Sequence, residues 1–230
     1  MTHQRRTGVL GGTFDPIHLG HLDAADAASR ALALDTVLLV PSRVPPHRPT
    51  SPQVSELHRF AMVALAASAS DHLVASDLEL TSSDPSYTSV TLRRLAGTGA
   101  ESSQLFFITG ADAFAEIASW YDYPAVLNRS HFVAVSRPGC PAPALRARLP
   151  NLAPRMHLLA PGDNASVRTD TTAIWLVDAQ TRETSSSEIR RRLNSGQSIE
   201  GLVPDAVAAY IARHELYSPS TAAHDLHERT

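Results

Sequence analysis

The stretch Gly11–His21 reads GGTFDPIHLGH and follows a short apolar run at Gly8–Leu10. Paired glycines allow a tight turn and let the backbone approach a ligand closely. After the turn, the apolar spacing of a helix continues as far as Leu32. The stretch therefore predicts a first strand, a glycine turn at Gly11 and Gly12, and a first long helix.

The start of this helix has the chemistry of an anion site. Asp15 followed by Pro16 predicts a helix N-cap with proline at the first helical position. The free amides and partial positive charge of a helix N-terminus suit phosphate. His18 and His21 are three residues apart, so both imidazoles are expected on one helix face. The residues alone leave two other interpretations open: an incidental pair of histidines, and a zinc site, for which no third ligand lies nearby.

Short apolar runs alternate with helical patterns along the rest of the chain. Strands are predicted at Gly8–Leu10, Thr36–Val40, Gln104–Thr109, His131–Val135 and Ala173–Val177, with a less apolar candidate at Met156–Ala160. Helices are predicted at His18–Leu32, Ser55–Ser68, Thr88–Ala96, Asp112–Trp120, Ser186–Leu193 and Pro204–His214. This alternation implies right-handed crossovers and a doubly wound, mostly parallel α/β sheet of the Rossmann-like kind. Ligands of such sheets bind beyond the carboxyl ends of the strands.

Residues 41–52, 138–154 and 218–230 lack a periodic apolar pattern and are predicted to be loops. We expect a single domain over residues 1–217, with a C-terminal helical part at about 186–217. The polar residues 218–230 are expected to form a flexible tail.

Composition excludes several classes of protein. The 230 residues are enough to bury the core of one globular domain. Hydrophobic residues make up 43% and charged residues 19%, which argues against disorder, and a net charge of -3 argues against a broad nucleic-acid surface. No apolar stretch approaches the roughly 20 residues that cross a bilayer, and the N-terminus does not read as a secretory signal. A cytoplasmic protein is expected, and its single cysteine, Cys140, allows no intrachain disulfide.

A second polar cluster opens a helix near the C-terminus. Ser185, with Glu188 three residues later, predicts a capping box, which is by itself a structural feature. Ser186 and Arg190 are four residues apart and share one face of the first turn. Hydroxyl, amide and guanidinium groups there would converge on one phosphate, whose oxygens match the planar fork of arginine.

Both clusters carry a family resemblance that spans about Gly8–Tyr217. Residues 11–21 resemble the signature of the nucleotidyltransferase superfamily, whose H-x-G-H element is related to that of class I aminoacyl-tRNA synthetases. In its full form the stretch is similar to bacterial nicotinate mononucleotide adenylyltransferases. Residues 185–190, SSSEIR, resemble the second signature, S-S-T-x-I-R, with Ser187 in the threonine position.

The resemblance implies how ATP is bound. In the family these elements bind the ATP phosphates and stabilise the negative charge that develops on them during the reaction. The resemblance therefore assigns His18, His21 and Arg190 as catalytic residues. Residues 110–113, GADA, are similar to a family motif whose carboxylate would accept hydrogen bonds from ribose hydroxyls, although Asp112 could also merely cap a helix. The implied ATP-binding set is Gly11, Gly12, Thr13, Phe14, His18, His21, Gly110, Asp112, Ser186, Ser187 and Arg190.

Three shorter motifs resemble parts of the family that select the acceptor. Residues 45–48, PPHR, resemble P-P-H-K, and residues 86–92, SYTSVTL, resemble S-Y-T-x-D-T-L with Val90 where an aspartate is usual. Trp120, which Tyr121 follows, matches a tryptophan that stacks on the nicotinate ring in the family. A rigid proline loop, a helix cap and a core aromatic remain the structural alternatives. The implied acceptor-binding set is Asp15, His47, Arg48, Tyr87, Thr88, Trp120 and Tyr121.

Together the motifs imply an enzyme that transfers the adenylyl group of ATP to nicotinate mononucleotide, giving nicotinate adenine dinucleotide and pyrophosphate in NAD biosynthesis. Mg²⁺ would bridge the triphosphate oxygens, with no metal site built from protein side chains. Two alternatives stay open: another phosphorylated acceptor, such as nicotinamide mononucleotide, and a non-catalytic nucleotide-binding module. The expected partners are these small molecules rather than nucleic acid or a membrane, and the sequence leaves homo-oligomerisation undecided.

Overall fold

A computed structural model describes residues 5–44, 52–159 and 171–218. Its strands are β1 (Thr7–Gly12), β2 (Thr36–Pro41), β3 (Leu73–Ala75), β4 (Leu105–Gly110), β5 (His131–Val135), β6 (Met156–Leu159) and β7 (Ile174–Val177). Within the described ranges they form one sheet in the order β3-β2-β1-β4-β5-β7-β6, and every neighbouring pair is parallel. The prediction of a doubly wound parallel α/β sheet is confirmed.

Helices cover both faces of this sheet. They are α1 (Leu19–Leu32), α2 (Glu56–Ala67), α3 (Thr88–Gly97), α4 (Ala111–Phe114), α5 (Leu145–Arg148), α6 (Ser186–Asn194) and α7 (Asp205–Arg213). Successive residues of β4 alternate between two cores: Phe106 packs with α1, α2, α6 and α7, whereas Phe107 packs with α3, α4 and α5. Because both faces are buried, the strands need the near-continuous apolar runs that the sequence shows.

The strand order places the switch point of the sheet between β1 and β4. From β1 the chain winds outward through β2 and β3, and it then returns to add β4 and β5 on the other side. Thr7–Leu10 pairs with Leu105–Ile108 in parallel register, so the carboxyl ends of the two strands emerge side by side. That edge is where open α/β sheets bind ligands.

Three predictions of secondary structure need correction. Strand β3, at an edge of the sheet, was not predicted. It is three residues long, which is too short to show a recognisable apolar pattern. Residues 138–154, predicted as a loop, contain the short helix α5 between two 3₁₀ segments at Ala142–Ala144 and Pro150–Arg155.

The third correction concerns the helix predicted at Asp112–Trp120. It is replaced by the four-residue helix α4 and a 3₁₀ turn at Ile117–Ser119. The buried residues Ala111, Phe114 and Ile117 are spaced by three, which matches the three residues per turn of a 3₁₀ helix rather than the 3.6 of an α-helix.

The C-terminal helices belong to the same core as the first helix. Ile189 of α6 and Val207 and Ile211 of α7 are buried in the cluster that contains α1 and α2. Residues 219–230, nearly all of the segment expected to be a tail, lie outside the described residues. Among the helices that are described, none has the length and apolar character to span a bilayer.

Candidate active site

The histidine pair lies where β1 gives way to α1. His18 is the N-cap residue of α1, with extended backbone angles, and the helix begins at Leu19. The prediction of Asp15 as N-cap and Pro16 as first helical residue is therefore wrong. The Asp15 carboxylate is committed elsewhere, because it accepts hydrogen bonds from the Tyr217 hydroxyl and the Gln53 backbone amide.

The two imidazoles share one face of the helix start, as their spacing predicts. Their rings stack with centroids 3.6 Å apart. The backbone amide of His18 donates to Nδ1 of His21 at 3.2 Å, so in the neutral ring the proton of His21 is on Nε2. Burial, helped by the charge of Arg137, lowers the pKa of His18 to about 3. His18 is thus a neutral imidazole at physiological pH, and His21 presents an Nε2–H donor.

The side chain of Phe14, in the turn after β1, is buried with 1% of its surface exposed. Its backbone lies in the left-handed region at φ 49°, and its ring meets the His21 ring edge to face at 5.0 Å. Because the ring is enclosed, only the backbone of Phe14 can face a ligand. The Phe14 ring therefore packs against the His21 ring and helps to hold its orientation.

Helix α6 is docked directly onto the turn that precedes the histidines. Ser185 caps the helix by accepting from the Glu188 amide, as predicted. The Ser186 hydroxyl donates to the Pro16 carbonyl at 2.9 Å, and Arg190 Nη1 donates to the Asp15 carbonyl at 2.6 Å. The Ser186 hydroxyl is thus used by the protein, which leaves the helix amides, Ser187 and Arg190 as the groups able to meet a phosphate.

Gly20 allows this close docking. A Cβ atom at Gly20 would lie 3.1 Å from both the Arg182 carbonyl oxygen and the Thr184 Cγ2 atom. Contacts that short would require α1 or the segment leading into α6 to shift by a few tenths of an ångström. The glycine of the H-x-G-H element therefore suits the close approach of α1 to that segment.

A cleft of about 370 Å³ opens between the ends of β4 and β5 and the start of α6. It is lined by Asp112, Arg137, Pro138, Glu183, Thr184, Ser185 and Glu188. Gly110 lies beside two of these residues, since a Cβ there would come within 2.4 Å of an Asp112 carboxylate oxygen and 3.2 Å of Arg137. Predicted residues from two distant motifs, Asp112 and the capping region of α6, thus meet in one cavity.

Two of the residues predicted to bind the acceptor, Tyr87 and Tyr121, come together at the start of α3. The rings of Tyr87 and Tyr121 stack with centroids 4.6 Å apart. Ser89 of α3 donates to the Asp122 carboxylate, which also receives two hydrogen bonds from Arg129 and fixes the turn after Trp120.

Trp120 is half-buried, with its ring edge to face against Phe107 at 6.0 Å and Phe132 at 6.3 Å. A neighbouring cleft of about 590 Å³ is lined by Asp84, Pro85, Tyr87, Val90, Arg93, Arg94 and Tyr121. The predicted residues His47 and Arg48 lie outside the described residues.

The sequence assigned no role in the site to three residues of this region. Arg59 is 1% exposed and donates to the Thr13 carbonyl at 2.7 Å; its position among the apolar residues of α2 is a signal that could have revealed it. Arg137 follows strand β5, and the carboxyl-end rule points to such a residue. Tyr217 has no sequence signal, because its partner Asp15 is 202 residues away.

A parallel doubly wound sheet, a histidine pair at its switch point and a serine–arginine helix docked beside them define a nucleotidyltransferase. The model of the cytidylyltransferase-like family matches residues 9–192, a range that includes both clusters, and the chain belongs to this family. Among its relatives, the probable nicotinate-nucleotide adenylyltransferase of Pseudomonas fluorescens is 40% identical over 218 residues, covering 93% of this chain and 97% of the relative. That of Geobacter sp. is 36% identical over 212 residues, covering 92% and 98%.

Solved structures agree on the fold. The nicotinic acid mononucleotide adenylyltransferase of Plasmodium falciparum complexed with NaAD matches with a TM-score of 0.69 at 18% identity, covering 93% of this chain and 97% of that one. The same enzyme complexed with APC gives a TM-score of 0.67. At this level of identity the likeness establishes the architecture alone.

Proposed function

We propose that this chain transfers the adenylyl group of ATP to nicotinate mononucleotide, producing nicotinate adenine dinucleotide and pyrophosphate. One observation carries the proposal: the contacts of Ser186 and Arg190 with the backbone of residues 15 and 16 place the start of α6 against the histidine pair. Two signature elements far apart in sequence thus lie side by side near the switch point, where together they would bind one anion. The names of the bacterial relatives support this choice of acceptor.

The reaction needs positioning more than acid–base chemistry. An oxygen of the acceptor's phosphate forms a bond to the α-phosphorus of ATP, and the bond from that phosphorus to the α,β-bridging oxygen breaks. Pyrophosphate leaves with the electron pair. A phosphate monoester is already an anionic nucleophile at neutral pH, so alignment and stabilisation of negative charge supply the catalysis.

The histidines suit the role of hydrogen-bond donors to the phosphates. A neutral His18 cannot act as a general acid, because its pKa is about 3. His21 keeps Nδ1 occupied by the His18 amide and directs Nε2–H outward. We assign His21 to the oxygens that gain charge in the transition state and His18 to the bound triphosphate.

Arg190 is proposed to bind the triphosphate through its guanidinium group while one nitrogen of that group holds the turn at Asp15. Nη1 is engaged by the Asp15 carbonyl, and Nη2 lies 3.3 Å from the Ser187 hydroxyl. The remaining donors of the guanidinium, Ser187 and the amides at the start of α6 would bind β- and γ-phosphate oxygens. The backbone of Gly11–Phe14, together with Gly110 and Asp112, would hold the nucleoside.

The acceptor is proposed to bind beside α3. The first amides of a helix have no intrahelical partners, so the amides of Thr88 and Ser89 at the start of α3 would favour a carboxylate such as that of nicotinate. Trp120 and Tyr121 are held close to that helix end and would offer aromatic faces to the pyridine ring. His47 and Arg48 are proposed to reach the acceptor's phosphate.

Mg²⁺ is proposed to enter with ATP and to bind mainly to its phosphate oxygens, where it would neutralise charge on the leaving pyrophosphate. Mg²⁺ commonly takes one or two carboxylates plus substrate phosphates. Three carboxylates line the cleft, those of Asp112, Glu183 and Glu188. Glu188 is paired with Arg191 and Arg192, so Asp112 and Glu183 are the carboxylates proposed to contact the ion.

The test is pyrophosphate release from ATP and Mg²⁺ with three acceptors: nicotinate mononucleotide, nicotinamide mononucleotide and phosphopantetheine. We expect the highest kcat/KM with nicotinate mononucleotide. A higher value with either other acceptor would overturn the choice of acceptor. Protein that binds ATP but releases no pyrophosphate with any of the three would overturn the catalytic function.

A further inference from the structure

The carboxylate of Asp15 is enclosed by the protein at the base of the histidine turn. Its side chain is 3% exposed. One oxygen accepts from the Tyr217 hydroxyl at 2.8 Å; the other accepts from the Gln53 amide at 2.9 Å and lies 3.7 Å from Arg190 Nη1. Both oxygens are therefore engaged, which does not suit the direct contact with the acceptor expected from the sequence.

This carboxylate balances the buried guanidinium of Arg59 and the partly buried one of Arg190, both of which hold the same turn. Arg59 donates to the Thr13 carbonyl, and Arg190 donates to the Asp15 carbonyl. The two cations fix the backbone leading into the histidine pair, and a buried cation needs an anionic partner close by. A displacement of the Asp15 side chain would leave the two guanidinium groups without their anionic partner and would loosen the backbone of the turn that they hold.

Tyr217, which follows helix α7, donates its hydroxyl hydrogen bond to the Asp15 carboxylate. Its side chain is buried, with 6% of the residue exposed. Burial and the neighbouring Asp15 charge raise the pKa of the Tyr217 hydroxyl above its usual value, so the group stays a donor. The backbone of Tyr217 has φ 61°, so the chain turns after α7 and brings the ring inward.

We propose that Tyr217 is a positioning residue: through Asp15 it aligns the turn that carries the His18–His21 pair and the guanidinium of Arg190. The C-terminal segment then acts on catalysis without contacting either substrate. This inference rests on the proposed adenylyl transfer for its kinetic consequence. Its structural consequence, the geometry of the histidine pair, does not depend on turnover.

The test compares Y217F with Y210F in the full chain. Phenylalanine keeps the buried ring of Tyr217 and removes the hydroxyl. Tyr210 of α7 is the matched control, because its hydroxyl also makes one side-chain hydrogen bond, to His58 Nδ1 at 2.9 Å, away from the turn. We expect kcat of Y217F to fall about 10- to 100-fold, since misplacement by about 1 Å costs on that order. KM for ATP should change less than kcat, and Y210F should keep the wild-type kcat.

A second measurement is independent of activity. Long-range ¹H–¹⁵N spectra of the ligand-free protein report the nitrogen shifts of the His21 ring, whose Nδ1 accepts from the His18 amide. We expect these shifts to change in Y217F and to stay at wild-type values in Y210F.

Unchanged His21 shifts in Y217F would overturn the inference. So would equal losses of kcat in the two variants, or a wild-type kcat in Y217F. A wild-type protein without turnover would instead refute the proposed function, and the spectra would still decide the positioning role.

Discussion

The imidazole rings of His18 and His21 stack with their centroids 3.6 Å apart and their planes 24° from parallel. His18 is 2% exposed, whereas His21 is only half-buried. Burial penalises a charge on the inner ring, and the nearby Arg137 adds to that penalty. The pair thus combines a neutral inner imidazole with a more exposed outer imidazole.

Replacing the outer ring should remove most of the activity. We expect H21A to lower kcat by about 10²–10³-fold, the usual loss for one donor to a charged transition state. The comparison variant H58A removes an imidazole from the contact between α2 and α7 and should keep kcat. Steady-state kinetics and thermal unfolding of both variants provide the check. Near-normal turnover of a folded H21A protein would contradict the role of His21.

Two buried histidines should make the protein less stable in mild acid. His18, with a pKa lowered to about 3, and His131, with a pKa lowered to about 4, both stay neutral in the folded state, mainly because of burial. In the unfolded chain they take up protons near pH 6.5, so their contribution is full above that pH and is lost as pH falls toward 4 and then 3. At pH 5 the loss is roughly 2 kcal/mol for each ring.

Urea unfolding between pH 7.5 and pH 4.5 measures this loss. His131 accepts from the Ala173 amide and from Trp175 Nε1 through Nδ1, which leaves no room for a proton on that nitrogen. H131Q should be less stable than the wild type at pH 7.5 but should lose stability less steeply toward acid. Parallel pH profiles for the two proteins would rule out the contribution of His131.

Arg190 should resist even a conservative replacement. Lysine keeps the charge, but its single ammonium cannot span the Asp15 carbonyl and the Ser187 hydroxyl as the guanidinium does. We expect R190K to lower kcat/KM for ATP by about tenfold or more, a change equivalent to about 1.4 kcal/mol. R191K on the same helix is the control, because Arg191 is exposed and pairs with Glu188, away from the histidine turn. Equal kinetics for R190K and R191K would exclude the proposed phosphate role.

Gly110 offers a test of the nucleoside site that leaves the backbone unchanged. Its φ of -69° suits any residue, so G110A acts only through the added methyl group, which would meet Asp112 at 2.4 Å and Arg137 at 3.2 Å. We expect KM for ATP to rise about tenfold, because Asp112 must swing out of the cleft. At Gly97, the last residue of α3, a Cβ meets nothing within 4 Å, and G97A should leave KM unchanged. An unaltered KM in G110A would argue against Asp112 as a ribose ligand.

Trp120 is expected both to stack on the pyridine ring of the acceptor and to pack in the hydrophobic core. Because its ring packs on Phe107 and Phe132, an alanine would also cost stability, and phenylalanine is the better replacement. W120F should raise KM for nicotinate mononucleotide about fivefold to tenfold through the smaller stacking face, with KM for ATP unchanged. If KM for the acceptor stays at the wild-type value, the indole is a core residue and not a stacking platform.

The sequence alone predicted most of the strands and helices and the end of the sheet at which the candidate site lies. The apolar runs at His131–Val135 and Ala173–Val177 are buried along their whole length, and their shortness and their β-branched and aromatic residues favour buried strands. The glycine turn, His18 and His21 follow the first strand, and parallel sheets bind ligands at that end. These features are local in sequence, which is why they could be read directly. The 3₁₀ geometry after β4 escaped, because a spacing of three is close to that of an α-helix.

Only the tertiary structure decided how the charged groups of the site are used. The sequence places Asp15 among the binding residues, whereas the fold buries it between Tyr217, Gln53 and Arg190. Arg59 lies in a helix of apolar pattern, and only the fold shows that it holds the turn at Thr13. The physical reason is that burial and pairing of a charge depend on residues far away in the chain, which meet only when the sheet and its helices have packed.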